Sequence, residues 1–173
     1  MKREHTNQAQ EENREMTEQL IDMVLENIDH AAKLYYRLVV LVGLPGTGKT
    51  SLMQDIHART SAPLINVNLN LSKRLLDLTE RQRALQLPRI LSEILDAPAV
   101  EVVLLDNIEI LFDLSLKQDP LRLLQGISRN KTVVASWSGL VDREYIAYAE
   151  PGHPEYKRYP LQDFLVVNTV VVA

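Results

Sequence analysis

The sequence contains no cysteine, no apolar run long enough to cross a membrane and no excess of basic residues. Without cysteine the protein has no disulfide, no thiolate nucleophile and no cysteine-ligated zinc, which is compatible with a reducing cytosol. The opening stretch is polar and lacks the apolar segment of a signal peptide, and no later run approaches the roughly 20 residues of a membrane helix. The net charge of -4 argues against binding nucleic acid through bulk electrostatics. We therefore expect a cytoplasmic protein without membrane contact.

Apolar strand patterns alternate with helical patterns along the chain of 173 residues, which predicts one α/β domain over residues 15–173. Residues 1–14 are expected to form a flexible N-terminal tail. From Glu15 onward, apolar residues recur at the spacing of an amphipathic helix. The alternation predicts a five-stranded, mostly parallel sheet sandwiched by helices. The strand candidates in chain order are LVVLVG, APLINVNLN, AVEVVLLD, KTVVASWSG and DFLVVNTVVV.

Two connecting segments carry weaker patterns. The segment between the second and third strands is expected to form one or two helices broken near Pro88, because proline disrupts helical hydrogen bonding. Residues 150–160, with sequence EPGHPEYKRYP, are expected to be the least regular part of the interior.

Three of the six glycines lie in the stretch GLPGTGKT, directly behind the first strand candidate. This stretch matches G-x-x-x-x-G-K-[ST] at every fixed position, with a predicted strand before it and a predicted helix after it. Glycine lets successive backbone N–H groups turn inward around a phosphate at the positive end of the helix. We expect ATP here, with the lysine reaching the β and γ phosphates. The predicted nucleotide-binding residues are Gly43, Leu44, Pro45, Gly46, Thr47, Gly48, Lys49, Thr50 and Ser51.

A magnesium site is predicted beside this loop. Asp106 ends the apolar stretch VEVVLLD, where the acid of the second nucleotide motif lies in P-loop proteins. We expect Thr50 and Asp106 to hold Mg²⁺, the aspartate through water. The competing interpretation of Asp106 is an ordinary turn or helix cap.

The residue after Asp106 raises a difficulty for hydrolysis. Many P-loop ATPases with an inserted central strand have glutamate there to activate water, whereas Asn107 cannot accept that proton. Glu109 lies on the same side if the extended conformation continues, and it is our candidate for the general base. The alternative is that Glu109 begins the next helix, where its charge suits the helix dipole.

Two further catalytic contributions are predicted nearer the carboxyl terminus. Ser136 or Ser138, at the end of the fourth strand, is expected to sense the γ phosphate, although ordinary turn chemistry also explains them. Arg158 is the first candidate for an arginine donated to a neighbouring subunit, with Arg129 and Arg143 as rivals.

Four segments of the chain carry a resemblance to a known family. They are HAAKLYYRLVVLVGLPGTGKT, LTERQRALQLPRILSEIL, LLDNIEILFDLSLKQDPLRLLQGISRNKTVVASWSG and AEPGHPEYKRY. Together they are similar to the BrxF-type small P-loop, AAA-like ATPases of type 3 bacteriophage-exclusion (BREX) systems. The resemblance covers roughly residues 15–173 and implies an AAA-like core without a C-terminal helical lid, working with other BREX proteins.

The sequence leaves three functions open. The first is an ATP-hydrolysing regulatory subunit of a bacterial anti-phage defence system. The second is a nucleotide-gated protein-binding module with little or no hydrolysis, which Asn107 favours. The third and weakest is a small-molecule kinase. The choice between ATP and GTP, self-association into a homo-oligomer and direct contact with nucleic acid are not determined by any short motif.

Overall fold

Five parallel strands form the centre of the sheet in the computed structural model, which describes residues 2–170 and the side chains of residues 6–170. These strands are β1 (Leu38–Gly43), β2 (Leu64–Asn66), β3 (Val102–Asp106), β4 (Thr132–Val141) and β7 (Leu165–Asn168). Their order across the sheet is β2-β3-β4-β1-β7, and every neighbouring pair is parallel. The predicted α/β fold with a mostly parallel sheet is confirmed, and β4 is the strand inserted between β1 and β3.

Helices cover both faces of this sheet. They are α1 (Lys2–Ala31), α2 (Lys49–Thr60), α3 (Val67–Leu75), α4 (Glu80–Asp96) and α5 (Pro120–Ile127), with 3-10 helices at Glu109–Phe112 and Leu114–Leu116. Apolar residues of α1 and α2 form one core with one face, and those of α3, α4 and α5 form a second core with the other. Because side chains alternate along a strand, β1 contributes Val39 and Leu41 to the first core and Leu38, Val40 and Val42 to the second. Burial on both faces explains its unbroken apolar run.

The first helix is longer than the sequence predicts. Residues 2–14, expected to be a flexible tail, continue α1 to Lys2, and residue 1 lies outside the described residues. Residues 7–16 are exposed, and burial of the helix against the sheet begins with Leu20 and Ile21. The tail is rich in Glu, Gln and Arg, which have high helix propensity, so these residues extend a helix that is anchored further along.

The predicted break at Pro88 is wrong, because Pro88 lies inside α4. A proline leaves the carbonyl four residues earlier without its helical donor. Here the Gln118 side chain donates to the Ala84 carbonyl oxygen at 2.8 Å and replaces that bond. The break comes instead before Thr79, whose side chain and backbone form a capping box with Gln82.

The second strand is shorter than the stretch APLINVNLN suggests, since only Leu64–Asn66 is extended. The Asn66 side chain accepts the backbone N–H of Leu69 at 2.9 Å and caps α3. Sequence pattern favours a strand here because apolar and polar residues alternate, and the cap overrides it. The fifth predicted strand likewise ends at Asn168, and positions 171–172 of that prediction lie outside the described residues.

An antiparallel extension of the sheet was not predicted. β4 continues to Val141 and pairs with β5 (Tyr145–Tyr148), which pairs in turn with β6 (Lys157–Pro160), so the sheet has seven strands. β6 lies within the segment predicted to be irregular. Gly139 permits a close approach here, because a Cβ at this position would lie 1.8 Å from the carbonyl oxygen of Ala147.

Within residues 2–170, no helix is both long enough and apolar enough to cross a membrane.

The pairing of β4 with β5 predicts unequal costs for two glycine substitutions. Gly139→Ala should lower the free energy of unfolding by about 1–3 kcal/mol, because the methyl group forces the strands apart. Gly126→Ala is the matched control: Gly126 lies on α5 with nothing within 4 Å of an added Cβ. Alanine there should stabilise by up to about 1 kcal/mol through helix propensity. Urea unfolding checks both, and equal stabilities of the two variants would contradict the close approach.

Candidate functional site

The glycine-rich loop connects β1 to the first turn of α2. Gly46 and Gly48 have φ angles of 77° and 85°, a backbone region that residues other than glycine rarely adopt. Gly48 is also the residue that precedes α2, so the loop ends at the positive end of a helix of 12 residues. This geometry agrees with an anion site formed by backbone N–H groups.

Lys49 is withdrawn from solvent at the base of the loop, with 8% of its surface exposed. Its Nζ donates to the carbonyl oxygens of Gly43 at 2.8 Å and Leu44 at 2.9 Å. Burial lowers the pKa of the Lys49 ammonium, while the negative charges of Glu109 and Asp106 act to raise it. Because little water reaches the Lys49 ammonium, a bound anion would strongly stabilise its positive charge. The carboxylates of Glu109 and Asp106 already favour the charged form.

Asp106 and Ser136 form a buried polar pair at the carboxyl ends of adjacent strands. Ser136 Oγ donates to Asp106 Oδ1 at 2.6 Å, and 5% of Asp106 and 2% of Ser136 are exposed. Asp106 lines a cavity of about 430 Å³ together with Thr50 and Lys49. Carboxylate and hydroxyl oxygens are suitable ligands for Mg²⁺, so Asp106 and Thr50 fit the metal that the sequence predicts.

Glu109 carries a second carboxylate into the same cavity. Ser138 Oγ donates to Glu109 Oε1 at 2.8 Å. The two serines therefore have separate partners, one on each acid, which the sequence alone could not assign. Glu109 is also the first residue of a 3-10 helix. Its backbone starts that helix, and its side chain lines the cavity. The two interpretations of this residue are compatible.

Asn107 forms a turn directly after β3. Its φ angle is 52°, in the left-handed region, which asparagine tolerates better than most residues. Its carbonyl oxygen accepts the backbone N–H of Asn68 at 2.9 Å, which ties the turn after β3 to α3. The chain therefore does not stay extended as the sequence argument assumed. This turn brings Glu109 into the cavity, and its only signal in the sequence is the asparagine itself.

A second cavity of about 610 Å³ adjoins the first and shares Pro45, Glu109 and Ser138 with it. Tyr148 of β5 and Glu155 also line it. Burial raises the pKa of Tyr148 to about 12, and the charges of Glu109 and Glu155 add to the increase. Sequence reasoning missed this wall because it lies on the unpredicted strand β5 and the turn after it.

The predicted loop residues divide among different surroundings. Five of them line the 430 Å³ cavity, namely Pro45, Gly46, Gly48, Lys49 and Thr50. Leu44 lines the 610 Å³ cavity, whereas Thr47 and Ser51 line a third cavity against α1.

Arg158 does not reach the candidate site within its own chain. It is exposed on β6, with its guanidinium 3.6 Å from the ring centroid of Tyr145. Arg129 lies over the Tyr35 ring at 4.9 Å. Neither these two arginines nor Arg143 lines the cavities around Glu109. A role for any of them in a neighbouring subunit remains a prediction.

Comparison with known proteins gives a family match over the centre of the chain. The model of the ATPase family associated with various cellular activities (AAA) matches residues 39–129. Among solved structures, the chain is similar to PCH-2 from C. elegans, with a TM-score of 0.44 and 20% sequence identity. That similarity covers 73% of this chain and 39% of the PCH-2 chain. No curated protein matches the sequence.

The turn at Asn107 predicts a stability pattern set by backbone conformation. Asn107→Gly should change the free energy of unfolding by less than about 1 kcal/mol, because glycine adopts a positive φ freely. Asn107→Val should cost about 1–3 kcal/mol, since a β-branched residue is strained there. Urea unfolding of the two variants provides the test. Equal decreases in the free energy of unfolding of the two variants would show that the asparagine side chain stabilises the turn, and not the tolerance of the residue for a left-handed backbone.

Proposed function

Because the chain belongs to the AAA family of ATPases, we propose that it binds ATP with Mg²⁺ at the loop Gly43–Ser51 and hydrolyses it with Glu109 as general base. The observation that carries this proposal is the convergence of Lys49, Asp106 and Glu109 on one cavity beside the glycine-rich loop. The lysine and the loop suit a triphosphate, and Glu109 supplies the proton acceptor that Asn107 cannot provide.

The proposed reaction is an attack of water on the γ phosphorus. The water oxygen forms the new bond to phosphorus, and its proton passes to the Glu109 carboxylate. The bond from the γ phosphorus to the bridging oxygen breaks, and ADP leaves with that oxygen. Lys49 and the loop N–H groups stabilise the negative charge on the phosphates. Mg²⁺, held by Thr50 and Asp106, would neutralise phosphate charge when bound.

One contact favours the alternative of a nucleotide-gated module with slow hydrolysis. The Glu109 carboxylate already accepts a hydrogen bond from Ser138 at Oε1, which holds the side chain in one orientation and takes one of its acceptor positions. A partner or a second subunit that moves Ser138 would let the carboxylate turn towards a water. A kinase is a weaker candidate, supported by the 610 Å³ cavity, which has room for an acceptor beside Glu109.

Phosphate release from MgATP over a wide range of protein concentration tests hydrolysis. Lys49→Ala should abolish release because it removes the charge that binds the β and γ phosphates, and Glu109→Gln should lower kcat at least about 100-fold while ATP still binds. Glu101→Gln is the matched control, since Glu101 lies just before β3, at the end of the strand away from Asp106, and it should leave the rate unchanged.

The outcomes separate the candidates. Release that persists in Glu109→Gln would overturn the role of this residue. ATP binding without release at any concentration would favour the nucleotide-gated module, and a rate per chain that rises with concentration would favour a site completed between copies.

The proposed setting is a bacterial cytoplasmic defence system against phage, in which the protein is a regulatory ATPase that works with other BREX proteins. Its support is the resemblance of four sequence segments to BrxF-type ATPases. Self-association and contact with DNA are left open by this proposal.

A plating assay tests the setting. A type 3 BREX system whose BrxF-type component is replaced by this chain should restrict phage, and the Lys49→Ala variant should lose that restriction. No restriction by the unmodified chain, despite normal expression and ATP binding, would count against the defence role and leave the nucleotide site intact.

A further inference from the structure

One surface at the amino ends of β1 and β4 takes no part in the proposed nucleotide site. It consists of residues 33–37, between α1 and β1, and residues 128–131, between α5 and β4, and we call it the tyrosine surface. β1 runs from this surface to the glycine-rich loop, and its six residues separate the two by about 20 Å. A ligand on the tyrosine surface would therefore bind independently of the nucleotide.

Backbone hydrogen bonds hold the two segments of this surface against each other. The Arg37 N–H donates to the Ser128 carbonyl oxygen at 2.8 Å, and the Val133 N–H donates to the Arg37 carbonyl oxygen at 2.8 Å. Ser128 is fully buried, and its N–H and its hydroxyl both donate to carbonyl oxygens in the last turn of α5. The backbone that carries the surface side chains is therefore fixed before a ligand arrives.

Tyr35 presents an aromatic ring to solvent on this surface. The residue is 65% exposed, and no other phenylalanine, tyrosine or tryptophan among residues 6–170 is exposed. Tyr36 packs edge-on against the ring with centroids 4.8 Å apart, and the Arg129 guanidinium lies 4.9 Å from the centroid of Tyr35. These neighbours hold the ring while much of it stays open, which suits stacking with a nucleobase.

Three cations on the same surface have no carboxylate partner. Among residues 6–170, none of the ion pairs involves Lys33, Arg37 or Arg129. The cations that do form ion pairs there are Arg59, Arg74, Arg89 and Lys131. The net charge of -4 excludes attraction of a polyanion by the whole protein, but a local group of unpaired cations still suits phosphates.

The ring and the charges together favour a single-stranded nucleic acid over other anionic partners. The phosphates of such a strand pair with cations, and its unpaired bases stack on an exposed aromatic ring. An acidic peptide would use the cations alone and leave the open face of Tyr35 without a role. Stacking and phosphate pairing do not involve the 2′-hydroxyl, so the surface would not distinguish DNA from RNA.

We propose that the tyrosine surface binds single-stranded nucleic acid. Tyr35 stacks on a base, and Lys33, Arg37 and Arg129 pair with the neighbouring phosphates. The binding is local, independent of base sequence and sensitive to salt, because it depends on one ring and a few charges.

Fluorescence anisotropy at low salt, with a labelled oligonucleotide of about ten thymidines, tests this surface. Tyr35→Leu keeps an apolar side chain but removes the aromatic face, so it should weaken binding about five- to tenfold, whereas Tyr35→Phe should retain binding. Lys33→Gln should reduce the slope of log affinity against log salt concentration by about 0.7, the effect of one lost phosphate contact. A matching uridine oligonucleotide should bind as tightly as the thymidine one.

Lys73→Gln is the matched control for charge. Lys73 is exposed on α3, and none of the ion pairs within residues 6–170 involves it. The variant makes the same charge change outside the tyrosine surface, so it should leave the affinity and the salt slope unchanged. Circular dichroism checks that every variant keeps the helix content of the unmodified protein.

The opposite results overturn defined parts of the proposal. Full affinity in Tyr35→Leu would overturn stacking and, with a loss in Lys33→Gln, would favour an acidic peptide as the partner. Equal losses in Lys33→Gln and Lys73→Gln would overturn the location of the site. No binding by the unmodified protein would overturn the proposal altogether and leave the cations as partners of the carboxyl ends of α1 and α5, with the proposed nucleotide function still standing.

Discussion

The position of β4 between β1 and β3 is the constraint on which the candidate site depends. Leu105 of β3 pairs with Ala135 of β4, so the next residues along, Asp106 and Ser136, meet at the edge of the sheet. On the other side of β4, Gly43 of β1 pairs with Ser138. Because all three strands are parallel, their carboxyl ends bring the loop, the two acids and the two serines to one edge. A different strand order would leave these residues apart.

Buried charge is the main energetic cost of this arrangement, and its neighbours offset it. Lys49 is nearly removed from solvent, yet two carbonyl oxygens accept its hydrogen bonds and two carboxylates favour its charged form. Asp106 is equally buried and has Ser136 as a donor. Among the described residues, no buried side-chain nitrogen or oxygen lacks a hydrogen-bond partner. The site is therefore a satisfied polar network, and an incoming anion would exchange partners within it.

Aromatic side chains pack β4, which carries Ser138, against the 3-10 helix that Glu109 begins. Trp137 lies between the two serines on β4 and points to the opposite face, where it packs edge-on against Phe112 and Tyr148. Phe112 belongs to the 3-10 helix that Glu109 begins, and the Trp137 indole donates to the Ala147 carbonyl at 3.0 Å. The hairpin formed by β5 and β6 is thus coupled by packing to the acid and to its serine.

The sequence by itself determined the parallel α/β core and the phosphate loop, because the apolar strands and the glycine spacing depend on neighbouring residues alone. It also indicated Asp106, which ends a buried strand. Tertiary structure decided the rest. The uninterrupted α4 depends on a distant partner, since Gln118 supplies the bond that Pro88 removes, and β5 and β6 depend on pairing with β4 and with each other. The left-handed turn at Asn107 and the separate pairing of Ser136 and Ser138 depend on how β3 and β4 lie together. The hydrogen bonds of Gln118 to Ala84, of Ser136 to Asp106 and of Ser138 to Glu109 each join residues about 30 positions apart, so a pattern of neighbouring residues does not encode them.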